Sequence, residues 1–233
     1  MRIRRLALFA LLAAALVSPA PAARAQVALV LAIDVSISMQ EDADALRRAH
    51  ADALRHHAVG TALAGSRVAV VLWGGWARMA LTWRKIAGPE DARALADAID
   101  ALASDPAETS GAESLLNHAV AWKEACACPD LPLVLDVASD GLIPWTGGLR
   151  TARERLLDLG ATINTLHVPA SPFDGEATAG FEDEIAHYRT LGARQLQALA
   201  GGPRSFSTAP EGAEDLARAL RRKILIEVAA APR

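Results

Sequence analysis

The chain of 233 residues has only two cysteines, Cys126 and Cys128. That excludes a small disulfide-stapled scaffold and a zinc site built from four thiolates. Nor is there an excess of basic charge, since 24 Lys and Arg face 27 Asp and Glu for a net of −3. A surface of that sign argues against nucleic acid or an anionic membrane as the main partner. The sequence has no G-x-S-x-G elbow, no Gly-rich phosphate loop, no G-x-G-x-x-G after a strand, and no H-x-x-H or H-E-x-x-H pair. The usual signatures of serine hydrolases, nucleotide-binding folds and zinc proteases are therefore missing. Internal repeats and long low-complexity runs are absent as well, which leaves a chain of single-domain size with enough apolar residues to bury a core.

The apolar run from Leu6 to Val17 is also short. It falls below the roughly twenty residues that a membrane-spanning helix needs. It follows Arg2, Arg4 and Arg5 and leads through a Pro/Ala stretch to Ala23-Arg24-Ala25, the three-part plan of a secretory signal with a small-x-small cleavage site. The expectation is a signal peptide over residues 1–25 and a single domain over 26–230, periplasmic or secreted, with no stable membrane anchor after cleavage. Cleavage removes four arginines and no acid, so the mature chain carries 20 basic against 27 acidic residues, a net of −7. That surface suits cation binding without requiring it.

What remains alternates between apolar strands and amphipathic helices. "QVALVLAID", "SRVAVVLWG", "LPLVLDVAS" and "ATINTLHV" read as buried strands, and "ARMALTWRKI" as an antiparallel neighbour of the second across Gly74-Gly75. A short strand is expected at "RSFST". Helices are expected at "DADALRRAHADALRHHAV", with Leu46, Ala49, Ala53 and Leu54 on one face, and at "GPEDARALADAIDAL", where Pro89 and two acids open the first turn. Further helices follow at "SLLNHAVAWKEA", "GGLRTARERLLDLG", "EIAHYRTLGARQLQALAGG" and "GAEDLARALRRKILIEV". The pattern implies an α/β fold: a mostly parallel central sheet covered by helices on both faces.

In such a sheet, ligands sit beyond the carboxyl ends of the strands. The first strand runs straight into Asp34, Ser36 and Ser38, and the strand "LPLVLDVAS" is followed at its end by Asp140 and Gly141. A polar loop ahead of the third helix adds Thr109 and Ser110. Two carboxylates and several hydroxyls from three loops, with no imidazole or thiolate, make an oxygen-only donor set for a hard divalent cation. Mg²⁺ is the simplest choice, with Mn²⁺ or Ca²⁺ as alternatives.

The D-x-S-x-S of Asp34, Ser36 and Ser38, a hydroxyl residue at Thr109 and Asp140 before a glycine resemble the metal-ion-dependent adhesion site of von Willebrand factor type A (VWA) domains. Over residues 27–228 the chain is similar to an uncharacterised secreted bacterial branch of that superfamily. "LVLAIDVSISM", "VLWGGWARMALTW", "LVLDVASDG", "LGATINTLHV", "LAGGPRSF" and "ARALRRKILIEV" carry the likeness. The resemblance implies a Rossmann-like VWA fold in which Ser36 and Ser38 ligate the metal directly. Thr109 does so in one state, and Asp34 and Asp140 act largely through bound water. It further implies a non-enzymatic binding module: a partner protein's Asp or Glu completes the coordination of an under-neutralised cation. Ile37 stands where a glycine is usual, and Asp140 lacks the usual preceding glycine. The contrasting reading is a metal-dependent hydrolase reusing the same aspartates, which would need a base or nucleophile that these motifs do not supply.

Other residues receive plainer expectations. Cys126 and Cys128 are either bridged across one residue or free thiols. Asp136, inside a strand, is expected as a hydrogen-bonded structural carboxylate. The histidines are expected on the surface or satisfied in the core. Trp73, Trp76 and Trp83 are expected to pack around the central strands, and Trp145, in the loop after Asp140, to be either a packing plug or a partner contact. Ile37, Leu142, Ile143 and Trp145 are the apolar residues expected around the metal.

Overall fold

The computed structural model describes residues 25–103, 111–169, 182–210 and 215–231. Its sheet has six strands: β1 Ala28–Asp34, β2 Arg67–Trp73, β3 Ala77–Lys85, β4 Leu133–Ser139, β5 Thr162–His167 and β6 Ser207–Thr208. They lie in the order β3-β2-β1-β4-β5-β6, all parallel except β3, which returns along β2 as a hairpin. The β1 and β4 side chains are buried throughout because helices cover both faces of the sheet. That is why these two strands are continuous apolar runs rather than alternating ones.

The helices are α1 Ala43–Arg55, α2 His57–Ala62, α3 Pro89–Asp100, α4 Ala112–Ala125, α5 Gly147–Asp158, α6 Glu182–Leu199 and α7 Leu216–Ala230. One core layer packs Leu29, Leu31 and Ile33 of β1 against Leu46 and Leu54 of α1, Leu95 and Ile99 of α3, and Leu220 and Ile224 of α7. The other sets Val30 and Ala32 of β1 and Leu135 and Val137 of β4 against Leu115 and Leu116 of α4, Leu149 and Leu156 of α5, and Leu196 and Leu199 of α6. Alternate residues of one strand thus feed opposite layers, as the two-residue period of a strand requires.

Three details depart from the sequence reading. The stretch expected as a single first helix breaks at His56, whose backbone is extended and whose Nδ1 accepts from the Ala58 N–H, so that α2 starts afresh. The strand expected at "RSFST" is confined to Ser207 and Thr208. Trp73 is fully buried as expected, but Trp76 is 66% exposed in the β2–β3 turn.

Cys126 and Cys128 are bridged, with Ala127 between them in the left-handed region at φ 51°. Asp136 is structural, as expected, but its partner is an ion rather than a neutral donor. Lys223 Nζ of α7 lies 2.6 Å from Asp136 Oδ1 and 2.6 Å from Glu227 Oε1, with all three side chains buried. Burial, reinforced by the charge of Asp136, pushes the Glu227 carboxyl up to about 8. Burial likewise holds His50 of α1, beside this cluster, below its ordinary pKa; its Nδ1 lies 2.8 Å from the Leu46 carbonyl oxygen. The cluster ties α7 to the middle of the sheet on the side away from α4, α5 and α6.

Candidate metal centre

The strand order fixes where a site can form. From β1 the chain moves outward to β2 and β3, whereas from β4 it moves the other way to β5 and β6. The carboxyl ends of β1 and β4 therefore flank the topological switch point, the crevice where open α/β sheets bind their ligands. Asp34 ends β1, Ser139 ends β4, and Asp140 follows it directly. The β1–β4 register, with Ile33 beside Ala138, brings the next residues, Asp34 and Ser139, side by side.

Asp34 is fully buried and doubly held. Its Oδ1 accepts from the Ser36 N–H at 2.8 Å and its Oδ2 from the Ser139 hydroxyl at 2.6 Å. The first of these bonds folds the chain back so that Ser36 and Ser38 face one another, their Oγ atoms 3.2 Å apart. Ile37–Met39 form a single 3₁₀ turn, which turns Met39 into the core and leaves Ile37 59% exposed. The β-branched residue in the glycine's usual place is thus accommodated by pointing to solvent.

On the β4 side, Asp140 Oδ1 accepts from the Leu142 N–H at 3.0 Å, and the Ser139 hydroxyl oxygen accepts from the Gly141 N–H at 2.9 Å. Asp140 is 3% exposed, and its second oxygen, Oδ2, is buried without a hydrogen-bond partner among the described residues. A buried, unpaired carboxylate oxygen is costly unless a cation or donor meets it. Burial pushes the Asp34 carboxyl up to about 7. The Ser139 and Ser36 hydrogen bonds oppose that rise, and the negative charge of Asp140 adds to it. Both observations describe a site short of positive charge, which is what a divalent cation supplies.

The residues fit such an ion in type and placement: Ser36 and Ser38 present hydroxyl oxygens, and Asp34 and Asp140 supply charge behind them. Thr109 and its competitor Ser110 lie outside the described residues. The next described residue, Gly111, has its Cα so close to the Gly74 and Gly75 carbonyls that a Cβ would stand 2.4 and 2.7 Å from their oxygens. Glu113, in the first turn of α4, accepts from the Thr146 hydroxyl at 2.8 Å, and Thr146 Oγ1 in turn caps α5 through the Leu149 N–H. The start of α4 is therefore anchored on both sides. Among the described residues no three His, Cys, Asp or Glu side chains gather as a metal cluster; a site here rests on hydroxyls and two acids.

Three contributors were not read from the sequence. Ser139 links the two aspartate-bearing strand ends. Gly192 of α6 packs on the Asp140–Gly141 turn so tightly that a Cβ at Gly192 would stand 2.0 Å from the Asp140 carbonyl oxygen, and one at Gly141 would stand 2.2 Å from the Gly192 oxygen. Its only sequence signal is a glycine inside an otherwise helical stretch, which costs helix stability and calls for a packing reason. His167, at the end of β5, is buried, and burial lowers its pKa against the opposing charge of Asp140. Ile143, expected as part of the apolar surround, is only 2% exposed, while Trp145 is half-buried against the core, closer to the packing plug than to an open contact.

The family of sequences described as "Protein of unknown function (DUF1194)" matches residues 24–232. The chain belongs to this family. No functionally curated protein is similar enough in sequence to match it. Among solved structures, proximal thread matrix protein 1 from the mussel byssus is similar at a TM-score of 0.61 and 16% identity, over 87% of this chain and 48% of that one. A second structure of the same mussel protein, with a zinc-occupied MIDAS motif, superposes at a TM-score of 0.60 and 16% identity, over 89% of this chain and 48% of that one. The von Willebrand factor type A protein from Catenulispora acidiphila is similar at a TM-score of 0.57 and 14% identity, over 86% of this chain and 42% of that one. The chain spans less than half the length of these proteins. At such identities the likeness is one of fold: this DUF1194 chain has the Rossmann-like architecture of a VWA domain.

Proposed function

We propose that this DUF1194 protein is an exported binding module that holds a divalent cation, Mg²⁺ in the first instance, and uses it to capture an Asp or Glu of a partner protein. The observation that carries the reading is the pair of strand ends at the switch point. There Asp34 and Asp140 are buried, Asp140 Oδ2 has no hydrogen-bond partner among the described residues, and the Ser36 and Ser38 hydroxyls stand 3.2 Å apart. Ser36, Ser38 and Thr109 would hold the ion, with Asp34 and Asp140 behind them. When bound, the ion supplies a centre of positive charge that neutral hydroxyl donors leave incompletely neutralised, so an incoming carboxylate is favoured.

The reading is of binding rather than turnover. Ser139, the hydroxyl closest to a carboxylate here, is fully buried and spends its oxygen on the Gly141 N–H, so it is poorly placed to attack a substrate. Export follows from the basic, apolar and A-x-A segments of residues 1–25. Among the described residues no helix is long and apolar enough to cross a membrane.

The test is recovery of partners from envelope extract on immobilised protein in Mg²⁺, in chelator, and with Ser38→Ala in Mg²⁺. A partner retained only by the wild type in Mg²⁺ is expected. Equal recovery in all three, or metal-dependent turnover of a phosphoester by the wild type alone, would overturn the proposal.

A further inference from the structure

We infer that the metal end carries an apolar collar, Ile37 and Trp76, that selects a partner carboxylate flanked by apolar or aromatic side chains. This rests on the capture reading and names the partner's chemistry.

Ile37 and Trp76 are 59% and 66% exposed, so the core accounts for neither. Single exposed apolar residues are ordinary; their placement is what matters. β1 and β2 are neighbours with Asp34 beside Trp73, and the Val35 N–H donates to the Trp73 carbonyl at 2.8 Å, which keeps the two chains level as they leave the sheet. Ile37 and Trp76 each lie three positions beyond that matched pair, and Ile37 sits between the two serines of the site. The intervening Gly74 and Gly75 present no side chain, and their carbonyls rest against Gly111.

The turn that carries Trp76 is anchored. The Gly74 N–H donates to the Trp76 carbonyl at 3.2 Å, and the Ala77 N–H to the Ser114 hydroxyl at 3.1 Å. An indole on a fixed turn is a low-entropy contact surface. The occupant follows from charge and polarity together: one carboxylate for the cation, and apolar neighbours that lie on Ile37 and Trp76 and keep water from the ionic contact. A lipid surface would ask for basic residues around the apolar pair, and the mature chain is acidic overall.

The test uses three probes on Mn²⁺-loaded protein: the peptides acetyl-Gly-Leu-Glu-Phe-Gly-amide and acetyl-Gly-Ser-Glu-Ser-Gly-amide, and phosphatidylglycerol vesicles. The wild type is expected to bind the Leu-Glu-Phe peptide about tenfold more tightly than the Ser-Glu-Ser peptide. That preference is expected to fall below about twofold in Trp76→Ala and in Ile37→Ala, and to be largely kept in Trp76→Phe, with Mn²⁺ affinity unchanged in Trp76→Ala. Equal binding of both peptides by the wild type, or the same preference in Trp76→Ala, overturns the collar but leaves carboxylate capture standing. Metal-loaded protein that binds neither peptide overturns the capture reading and the collar with it, and Trp76-dependent binding to the vesicles overturns the choice of partner.

Discussion

Gly192→Ala places a methyl group on the most crowded contact beneath the candidate metal centre. Its Cβ would stand 2.0 Å from the Asp140 carbonyl oxygen and 3.2 Å from the carbonyl carbon, both backbone atoms that cannot rotate aside. Since Cβ contacts do not fall below 3.0 Å, either α6 or the Asp140–Gly141 turn must withdraw by about 1 Å. The turn has little room, because Gly141 is held at φ +80° and its own Cα faces the Gly192 oxygen. Overpacking of this kind costs about 1–3 kcal/mol, and the better helix propensity of alanine returns roughly 0.5–1. The expected net destabilisation is about 1–2 kcal/mol in urea unfolding without metal. Because the displaced group is Asp140, Mg²⁺ or Mn²⁺ affinity by calorimetry should fall about 10–100-fold, as for changes behind a metal ligand. Gly147→Ala is the control: a Cβ there meets nothing within 4 Å among the described residues, so metal affinity should stay at the wild-type value, while stability should hold or rise by up to about 1 kcal/mol from the better helix propensity of alanine in the first turn of α5. Unaltered metal affinity in Gly192→Ala would refute the claim that α6 positions Asp140.

The buried ion cluster gives two further predictions. Lys223→Met removes the only cation in contact with Asp136 and Glu227 among the described residues, and should cost about 3–5 kcal/mol in denaturant unfolding because buried carboxyl groups are left uncompensated; a loss below about 1 kcal/mol would refute a structural role for the cluster. Glu227, raised from 4.5 to about 8 by burial, binds its proton more tightly folded than unfolded. Its contribution is therefore fully present below pH 4.5 and lost as pH rises to about 8, so stability should decline across that window and the decline should flatten in Glu227→Gln. Identical pH slopes in the two proteins would contradict it.

The fold could be read from the sequence because strands buried on both faces, such as "ALVLAID" and "LVLDVAS", admit little but apolar residues until their carboxyl ends. The same property exposed the candidate ligands: Asp34, Ser36, Ser38 and Asp140 are the first polar groups after such runs, or close behind them. What stayed hidden depends on tertiary proximity. Lys223 and Glu227, four apart on α7, resemble an ordinary solvated pair until Asp136 of β4 is brought against them. Gly192 looks like a weak point in a helix until the Asp140–Gly141 turn is seen resting on it. Trp76 looks like core in a tryptophan-rich stretch, but Trp73 already fills the interior place and the Gly-Gly turn carries Trp76 outward. His56 breaks a helix whose apolar pattern runs on, because its side chain caps the next one.

The most direct measurement of the central claim is a calorimetric titration of Mn²⁺ into the wild-type protein and into Ser36→Ala, Ser38→Ala and Asp34→Ala, each first shown to be folded by circular dichroism. If the strand-end hydroxyls and Asp34 hold the ion, the wild type binds one Mn²⁺ per chain and each variant binds it at least about tenfold more weakly. Equal Mn²⁺ affinity in the wild type and all three variants, or no binding by the folded wild type, would contradict the account.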